Sequence, residues 1–199
     1  MQALIFDFDG VIHDTFELTY QLYAKVHGRN NSREQYRSHF DGNLYEKIGS
    51  MYTEEMQDEF RKMEFAAYKD LQISADVRED LLTLSRQFTL FIISSNSIKN
   101  LDLYMKNNQL SGIFKDILAV ETHTSKVEKF KIVFTKYGIT PERCLFVTDT
   151  LGDVLEAHAV GVKSIACTFG YHDEARLQKG KPFKLISDFK EIRKVVEKL

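Results

Sequence analysis

The chain has 199 residues, and 43% of them are hydrophobic, which is enough to bury one α/β core of ordinary size and a small inserted unit. Its formal net charge of -2 and pI near 6.3 provide no basic stripe for nucleic acid and no general attraction to anionic membranes. No apolar stretch approaches about 18 residues and no leader precedes the first apolar run, which predicts a soluble, cytoplasmic protein.

The first predicted element is a buried strand over residues 3–6, and it stops at Asp7, Asp9 and Gly10. Side chains alternate along an extended backbone, so the two carboxylates face one pocket only if the chain turns directly after the strand. That geometry suits a divalent cation and a phosphoryl group. An isolated Asp-x-Asp more commonly just ends a strand, so the later elements decide between the two interpretations.

The next segment, residues 15–76, is predicted to be a helical insert, because its apolar residues recur at helical spacing and none of its runs is typical of a strand. Arg33 and Arg37 share one helix face and could grip a substrate anion, although a solvated charge run is the default interpretation. The aromatic residues of the insert are assigned mostly to packing. The breaks expected between its helices lie at residues 28–32, 41–43 and 49–53.

From residue 77 onward, helices and strands are predicted to alternate. A helix over residues 77–87, with Asp76 and Glu79 as a capping box, leads to a strand over residues 88–93. Ser94, Ser95 and Asn96 follow that strand directly, and their hydroxyls and backbone amides precede a helix over residues 98–107, which makes an anion site. A further strand is predicted over residues 117–120.

Two further groups of polar residues follow along the chain, one at a helix start and one after a strand. Ser125 and Glu128 form a predicted capping box that places Lys126 at a helix start, pointing toward the strand ends. A strand over residues 145–148 ends at Asp149, and Asp153 lies four residues later in the first turn of the next helix, where it can support Asp149. The remaining predicted elements are a helix over residues 154–160, a strand over residues 164–167 and a last helix from residue 189.

Alternating strands and helices predict a parallel sheet with covering helices and ligands at the carboxyl ends of its strands. With these motifs the chain resembles the haloacid dehalogenase-like hydrolases, and specifically their phosphoglycolate phosphatase and beta-phosphoglucomutase branch. The resemblance covers the chain nearly end to end. It implies a Rossmann-like α/β core formed by residues 1–14 and 77–199, with residues 15–76 inserted as an all-helical cap domain. The four family motifs are matched in order by Asp7 with Asp9, Ser95, Lys126, and Asp149 with Asp153.

The resemblance also implies a mechanism. Asp7 would be the nucleophile, forming an aspartyl-phosphate, and Asp9 would be the general acid and base. Mg²⁺ is expected on the carboxylates of Asp7 and Asp149 and on the backbone carbonyl of Asp9, while Asp153 would orient a metal-bound water. The residues expected to hold the phosphoryl oxygens are Ser95, Asn96 and Lys126.

The sequence leaves open which serine and which lysine belong to the site and which reaction the protein catalyses. Ser94 replaces Ser95 if the strand register is off by one, and Lys129 could replace Lys126. The leading function is a phosphatase for a small-molecule phosphate ester. A sugar phosphomutase is the alternative, although Thr19 stands where a histidine is expected, and a phospho-receiver module is a weaker one. The sequence names neither the ester nor an oligomeric partner.

Overall fold

The computed structural model describes residues 2–28, 31–48 and 52–198 of the chain. Its centre is a six-stranded sheet in which all neighbouring strands are parallel. In chain order the strands are β1 (Ala3–Phe6), β2 (Thr89–Ile93), β3 (Phe114–Leu118), β4 (Cys144–Thr148), β5 (Lys163–Cys167) and β6 (Lys184–Ile186). Their order across the sheet is β3-β2-β1-β4-β5-β6. The predicted fold class, a Rossmann-like parallel sheet with helices, is therefore confirmed.

The helices cover both faces of this sheet. Successive residues of β1 point to opposite sides, so Leu4 and Phe6 pack in one apolar cluster while Ala3 and Ile5 pack in another. In chain order the α-helices are α1 (Phe16–His27), α2 (Arg33–Arg37), α3 (Leu44–Ile48), α4 (Glu54–Tyr68), α5 (Ala75–Ser85), α6 (Ile98–Asn107), α7 (Lys126–Tyr137), α8 (Leu151–Ala159), α9 (Glu174–Gln178) and α10 (Glu191–Val196).

The strand order places a switch point at β1. The chain moves from β1 to β2 on one side and later returns to β4 on the other, so loops at the carboxyl ends of β1 and β4 diverge and leave a crevice. Phe6 at the end of β1 is paired with Ile92 and with Val147. Residues that follow β1, β2 and β4 are thereby brought to one edge of the sheet, as the sequence predicted.

Between β1 and α5, the described residues form helices and loops and no strand. Gly28 ends α1 in the left-handed conformation, with φ at 58°, and Thr53 caps α4 by accepting a hydrogen bond from the backbone N–H of Met56. Two of the predicted breaks therefore end or begin helices. Residues 29, 30 and 49–51 of those breaks lie outside the described residues. The division of the chain into core and cap domains stays a prediction.

Several predicted boundaries were wrong. Helix α5 begins at Ala75 rather than residue 77, because Ser74 accepts the capping hydrogen bond from the backbone N–H of Val77 and replaces the expected Asp76 cap. Strand β3 ends at Leu118 rather than at residue 120, and polar residues interrupt its apolar pattern. Strand β6 and helix α9 were not predicted, since elements of three and five residues carry little periodicity.

The capping box predicted for α7 is also absent. The Ser125 side chain makes no capping hydrogen bond, and its hydroxyl donates instead to Glu156 Oε1 at 3.0 Å. The same oxygen accepts from the backbone N–H of Lys126 at 2.9 Å. A carboxylate from α8 therefore caps α7, and it holds Lys126 at the helix start by a different route from the one predicted.

The helical insert packs directly onto the carboxyl edge of the sheet. Gly42 approaches Gly152 of α8 so closely that an added Cβ at Gly152 would lie 2.3 Å from the Gly42 carbonyl oxygen. The Tyr45 hydroxyl donates to the Ser95 carbonyl oxygen at 2.8 Å, and Arg176 pairs with Asp41 at 2.8 Å. The segment of residues 41–45, which includes the start of α3, thus contacts three parts of the α/β core and covers the strand ends. No described helix is long and apolar enough to cross a membrane.

Candidate active site

Asp7 and Asp9 lie where the chain turns away from β1. The backbone N–H of Asp7 still donates to the Val147 carbonyl at 2.8 Å, which continues the sheet by one residue. Gly10 then adopts a φ of 75°, and its N–H donates to the His13 carbonyl at 2.8 Å. The turn that the sequence required is present, and both carboxylates line the same cavity.

Lys126 is buried between two of the candidate carboxylates. Its Nζ lies 2.9 Å from Asp7 Oδ2 and 2.5 Å from Asp153 Oδ2, and the residue is 2% exposed. Burial alone would lower the pKa of Lys126, but the charges of Asp153 and Asp7 outweigh it and raise that pKa above its usual range. The charged form of Lys126 is therefore favoured, and it is in direct contact with Asp7.

The structure separates Lys126 from its rival Lys129. Lys129 is fully buried, and its Nζ donates to the backbone carbonyl of Ser94 at 2.5 Å rather than to a candidate carboxylate. Burial, followed by the nearby charge of Lys126, lowers the pKa of Lys129 to about 7. Of the two lysines, only Lys126 reaches Asp7.

The two rival serines are separated in the same way. Ser94 is fully buried, and its hydroxyl accepts a hydrogen bond from the backbone N–H of Asn96 at 3.1 Å. Ser95 lines the cavity together with Asn96. The residues given as candidates for holding phosphoryl oxygens, Ser95, Asn96 and Lys126, therefore border the same space as Asp7 and Asp9.

Asp9 is held by three side chains. Its Oδ1 accepts from Thr15 Oγ1 and from the Tyr68 hydroxyl, each at 2.6 Å, and its Oδ2 accepts from Asn96 Nδ2 at 2.8 Å. Tyr68 was assigned to packing, and this assignment was incomplete because its hydroxyl reaches the site. Thr15 precedes the first helix of the insert and Tyr68 ends its last long helix, so Asp9 is tied to both ends of that segment.

Asp149 has one carboxylate oxygen without a partner. It is fully buried after β4, and its Oδ2 accepts from the backbone N–H of Tyr171 at 2.7 Å, whereas Oδ1 has no hydrogen-bond partner. Gly10 and Gly170 pack against this side chain so closely that a Cβ on either would lie within 2.3 Å of Oδ2. Burial raises the pKa of Asp149 to about 8. A buried, unpaired oxygen of this kind fits a cation.

The oxygen atoms around Asp149 fit a magnesium ion that has few protein ligands and keeps several waters. Among the described residues, no three His, Cys, Asp or Glu side chains are grouped to hold a metal by themselves. The Asp9 carboxylate already accepts three hydrogen bonds. Asp153 Oδ2 accepts from Thr148 Oγ1 at 2.6 Å as well as from Lys126. Asp7 Oδ1 accepts from the backbone N–H of Phe8 at 2.8 Å and its Oδ2 pairs with Lys126, whereas Asp149 Oδ1 is a buried oxygen with no partner. Asp7 and Asp149 are the carboxylate ligands that the sequence predicts. Two carboxylates with one backbone carbonyl suit Mg²⁺, which keeps several waters.

Above these residues is a cavity of about 390 Å³, which lies between the strand ends and the insert and is partly open to solvent. Neither Arg33 nor Arg37 lines it. Arg33 pairs with Glu17 at 2.7 Å on the exposed surface, and Arg37 Nε donates to the Tyr171 carbonyl at 2.7 Å. The default interpretation, a solvated charge run, therefore fits Arg33, while Arg37 is half-buried against the Tyr171 carbonyl, and neither guanidinium group reaches the cavity.

Sequence reasoning also missed Glu64, a buried carboxyl group of α4 that lines the cavity. Its Oε2 accepts from Asn100 Nδ2 at 2.8 Å, and the same amide nitrogen donates to Asn96 Oδ1 at 2.8 Å. Burial, followed by the charge of Asp9, raises the pKa of Glu64 to about 8. The position in sequence, in the middle of a charged helix, gave no signal of this burial.

We expect Glu64→Gln to remove the part of the pH dependence of the free energy of unfolding that the Glu64 carboxyl group causes. Because the folded pKa lies above the usual value of 4.5, the folded protein holds a proton that the unfolded chain releases, so the wild-type free energy of unfolding falls as pH rises from about 4.5 to about 8. The variant should match the wild type near pH 5 and exceed it near pH 8 by a free energy on the order of 1 kcal/mol or more. Urea unfolding at both pH values measures this. Glu59→Gln, exposed on the same helix, is the matched control, and an equal pH dependence in the wild type and Glu64→Gln would contradict the expectation.

The model of the haloacid dehalogenase-like hydrolase family matches residues 4–167 of the chain. The chain belongs to this family. The resemblance inferred from the motifs is confirmed, and so is the prediction that the chain is an enzyme of this hydrolase family with phosphatase relatives.

Two curated relatives and one solved structure show the extent of the similarity. A phosphoglycolate phosphatase from Synechococcus elongatus is 26% identical across 100% of this chain and 99% of its own length. One from Mannheimia succiniciproducens is also 26% identical, but the match spans 61% of this chain and only 56% of that protein. A haloacid dehalogenase-like hydrolase from Streptococcus pneumoniae has the same fold, with a TM-score of 0.81 at 19% identity over 98% of each chain.

Proposed function

We propose that the chain is a phosphatase that hydrolyses a small-molecule phosphate monoester through an aspartyl-phosphate on Asp7. The observation that carries this proposal is the buried pair of Asp7 and Lys126 at the end of the central strand, beside Asp9. Phosphoglycolate phosphatases are among the relatives, which supports the reaction class. The cytoplasmic location predicted from the sequence belongs to the same proposal.

The reaction proceeds in two steps, and Asp9 gives up a proton in the first and takes up a proton in the second. First, a carboxylate oxygen of Asp7 bonds to phosphorus while the bond from phosphorus to the ester oxygen breaks, and the protonated carboxyl group of Asp9 gives its proton to the departing alcohol. Then the Asp9 carboxylate takes a proton from a water molecule, whose oxygen bonds to phosphorus and releases the Asp7 carboxylate. The ester and water are consumed, and the alcohol and inorganic phosphate are formed.

The other candidate residues stabilise charge on the phosphoryl group. Lys126 and the Ser95 hydroxyl would donate to its oxygens, and both border the cavity before any ligand enters. Asn96 donates its side-chain amide to Asp9, so its contribution is to hold the proton-transferring carboxyl group. Asp153 would fix Lys126 from the side opposite Asp7.

Mg²⁺ would be held by the carboxylates of Asp7 and Asp149 and the backbone carbonyl of Asp9. When bound, it supplies positive charge close to the phosphoryl oxygens and offsets repulsion among the acids. The unpaired Oδ1 of Asp149 supports this assignment. Asp153, already engaged with Lys126 and Thr148, would orient a metal-bound water and would not bind the ion itself.

The phosphomutase alternative lacks a proton-transfer group at position 19. The Thr19 hydroxyl contacts the Thr15 carbonyl at 3.0 Å and the Tyr171 hydroxyl at 2.8 Å, and it cannot act as an imidazole would. A phospho-receiver module is disfavoured because the helical insert covers the site. We therefore favour hydrolysis over both.

The test of the proposed function is release of inorganic phosphate from acetyl phosphate, a small activated phosphate donor, with and without Mg²⁺. We expect turnover in Mg²⁺ and none in excess chelator. Phosphate release at an undiminished rate in chelator would contradict the metal assignment. Conversion of one sugar phosphate isomer into another, with a bisphosphate primer present, would move the assignment to a mutase.

A further inference from the structure

We propose that the ester accepted by this site is the phosphate of an aromatic alcohol, whose ring lies among the aromatic side chains of the insert. The inference rests on the proposed function and names the substrate class for that reaction. It differs from the phosphoglycolate named for the relatives, since the alcohol of that ester is a two-carbon acid.

Part of the cavity lining is a wall of aromatic rings contributed mostly by the insert. The aromatic residues that form it are Tyr23, Tyr36, Phe40, Tyr45, Phe60 and Tyr171. Several meet edge to face, including Tyr36 with Phe40 at 5.4 Å and Phe40 with Tyr171 at 4.9 Å between ring centroids. A further ring packs favourably against such a surface, because aromatic faces attract aromatic edges.

Several tyrosine hydroxyls in this wall already bond to the protein. The Tyr23 hydroxyl accepts from Asn31 Nδ2 at 2.6 Å, and the Tyr45 hydroxyl donates to the Ser95 carbonyl at 2.8 Å. The Tyr171 hydroxyl contacts Thr19 Oγ1 at 2.8 Å. With their polar ends engaged in this way, these side chains present ring carbons to the cavity, which is the surface an apolar leaving group requires.

Two Lys or Arg side chains of the described part of the chain reach the cavity, and neither belongs to the aromatic wall. Among the described residues, Lys126 and Arg61 are the only Lys or Arg side chains that line the cavity. Lys126 is held between Asp7 and Asp153, and Arg61 donates to the backbone and side-chain oxygens of Gln57 at 3.3 and 3.0 Å. The aromatic rings themselves carry no positive charge, and a carboxylate desolvated among them without a paired cation is costly, so an anionic alcohol group is disfavoured at the aromatic wall.

The volume favours the same conclusion. A cavity of about 390 Å³ falls within the range of about 300–1,000 Å³ that is typical of pockets for drug-sized ligands, which are larger than a two-carbon acid. A two-carbon acid would leave most of the aromatic wall in contact with water. The ring of a benzyl-sized alcohol covers that wall while the phosphoryl group stays at Asp7.

The experiment compares three esters on the wild-type protein with Mg²⁺: benzyl phosphate, 2-phosphoglycolate and acetyl phosphate. Acetyl phosphate reports the chemistry at Asp7 and needs little from the aromatic wall. We expect kcat/KM for benzyl phosphate to exceed that for 2-phosphoglycolate by at least about tenfold. Equal or higher kcat/KM for 2-phosphoglycolate would overturn the inference, and no turnover of any ester, acetyl phosphate included, would overturn the proposed function with it.

Two variants of helix α4 make the comparison specific. Phe60 lines the cavity, whereas Phe65 is half-buried on the same helix outside it, under the ammonium group of Lys99 at 4.1 Å. We expect Phe60→Ala to raise KM for benzyl phosphate about tenfold and to raise KM for acetyl phosphate by a much smaller factor. Phe65→Ala should change neither ester. An equal loss on both esters in Phe60→Ala, or the same effect from Phe65→Ala, would show that the wall does not bind the ring.

Discussion

Replacing Asp7 by Asn is expected to lower kcat for acetyl phosphate by about 10⁴- to 10⁶-fold. The amide keeps the shape of the side chain but lacks the anionic oxygen that attacks phosphorus. The fold should persist, because Lys126 keeps its ion pair with Asp153 at 2.5 Å. Phosphate release measures the loss, and urea unfolding checks that the variant is folded.

Asp116→Asn is the control for that substitution. Asp116 pairs with Lys136 at 2.8 Å near the surface of β3, away from the cavity. The same chemical change there should leave kcat within about twofold of the wild type, as surface substitutions usually do. Turnover by Asp7→Asn close to that of Asp116→Asn would end the assignment of Asp7 as the nucleophile.

Asp149→Asn is expected to raise the Mg²⁺ concentration for half-maximal rate by more than about 100-fold. The rate of this variant should then fail to saturate at the Mg²⁺ concentrations that can be reached in the assay. The carboxylate is one of two available to the ion, and its Oδ1 has no protein partner. Asp153→Asn should raise the same concentration by only about 10- to 100-fold, because Asp153 acts on Lys126 and on ordered water.

Mg²⁺ titrations of the rate compare the two variants directly, with binding heats as a second readout. An Asp153→Asn variant with the larger loss of Mg²⁺ affinity would contradict the assignment and move the ion toward Asp153. A zinc ion in the purified protein would also contradict it, since the proposed donors are all oxygens.

The parts of the site that follow strands were predictable from the sequence. Asp7, Ser95 and Asp149 each lie within two residues of the end of a strand, and parallel strands bring such residues to one edge of the sheet. Gly10 marks the turn that lets Asp7 and Asp9 face one cavity. These predictions needed only local patterns and the rule for where ligands bind in open parallel sheets.

The parts that failed depend on contacts between distant segments. Glu156 replaces Ser125 as the cap of α7, and Tyr68 reaches Asp9 across 59 positions of sequence. Such partners are fixed by how the helices pack, and no spacing in the sequence specifies them. The pairing of Arg33 with Glu17 of a different helix is fixed in the same way.

The central claim, that Asp7 receives the phosphoryl group, is tested most directly by trapping that group on the protein. Asp9→Asn should still be phosphorylated by acetyl phosphate but should hydrolyse the aspartyl-phosphate slowly, because no carboxylate remains to take the proton from water. After an acid quench and digestion at low pH, mass spectrometry should locate one phosphoryl group on Asp7. A phosphoryl group on any other residue, or continued turnover by Asp9→Asn with no phosphoryl group on the protein, would contradict the account.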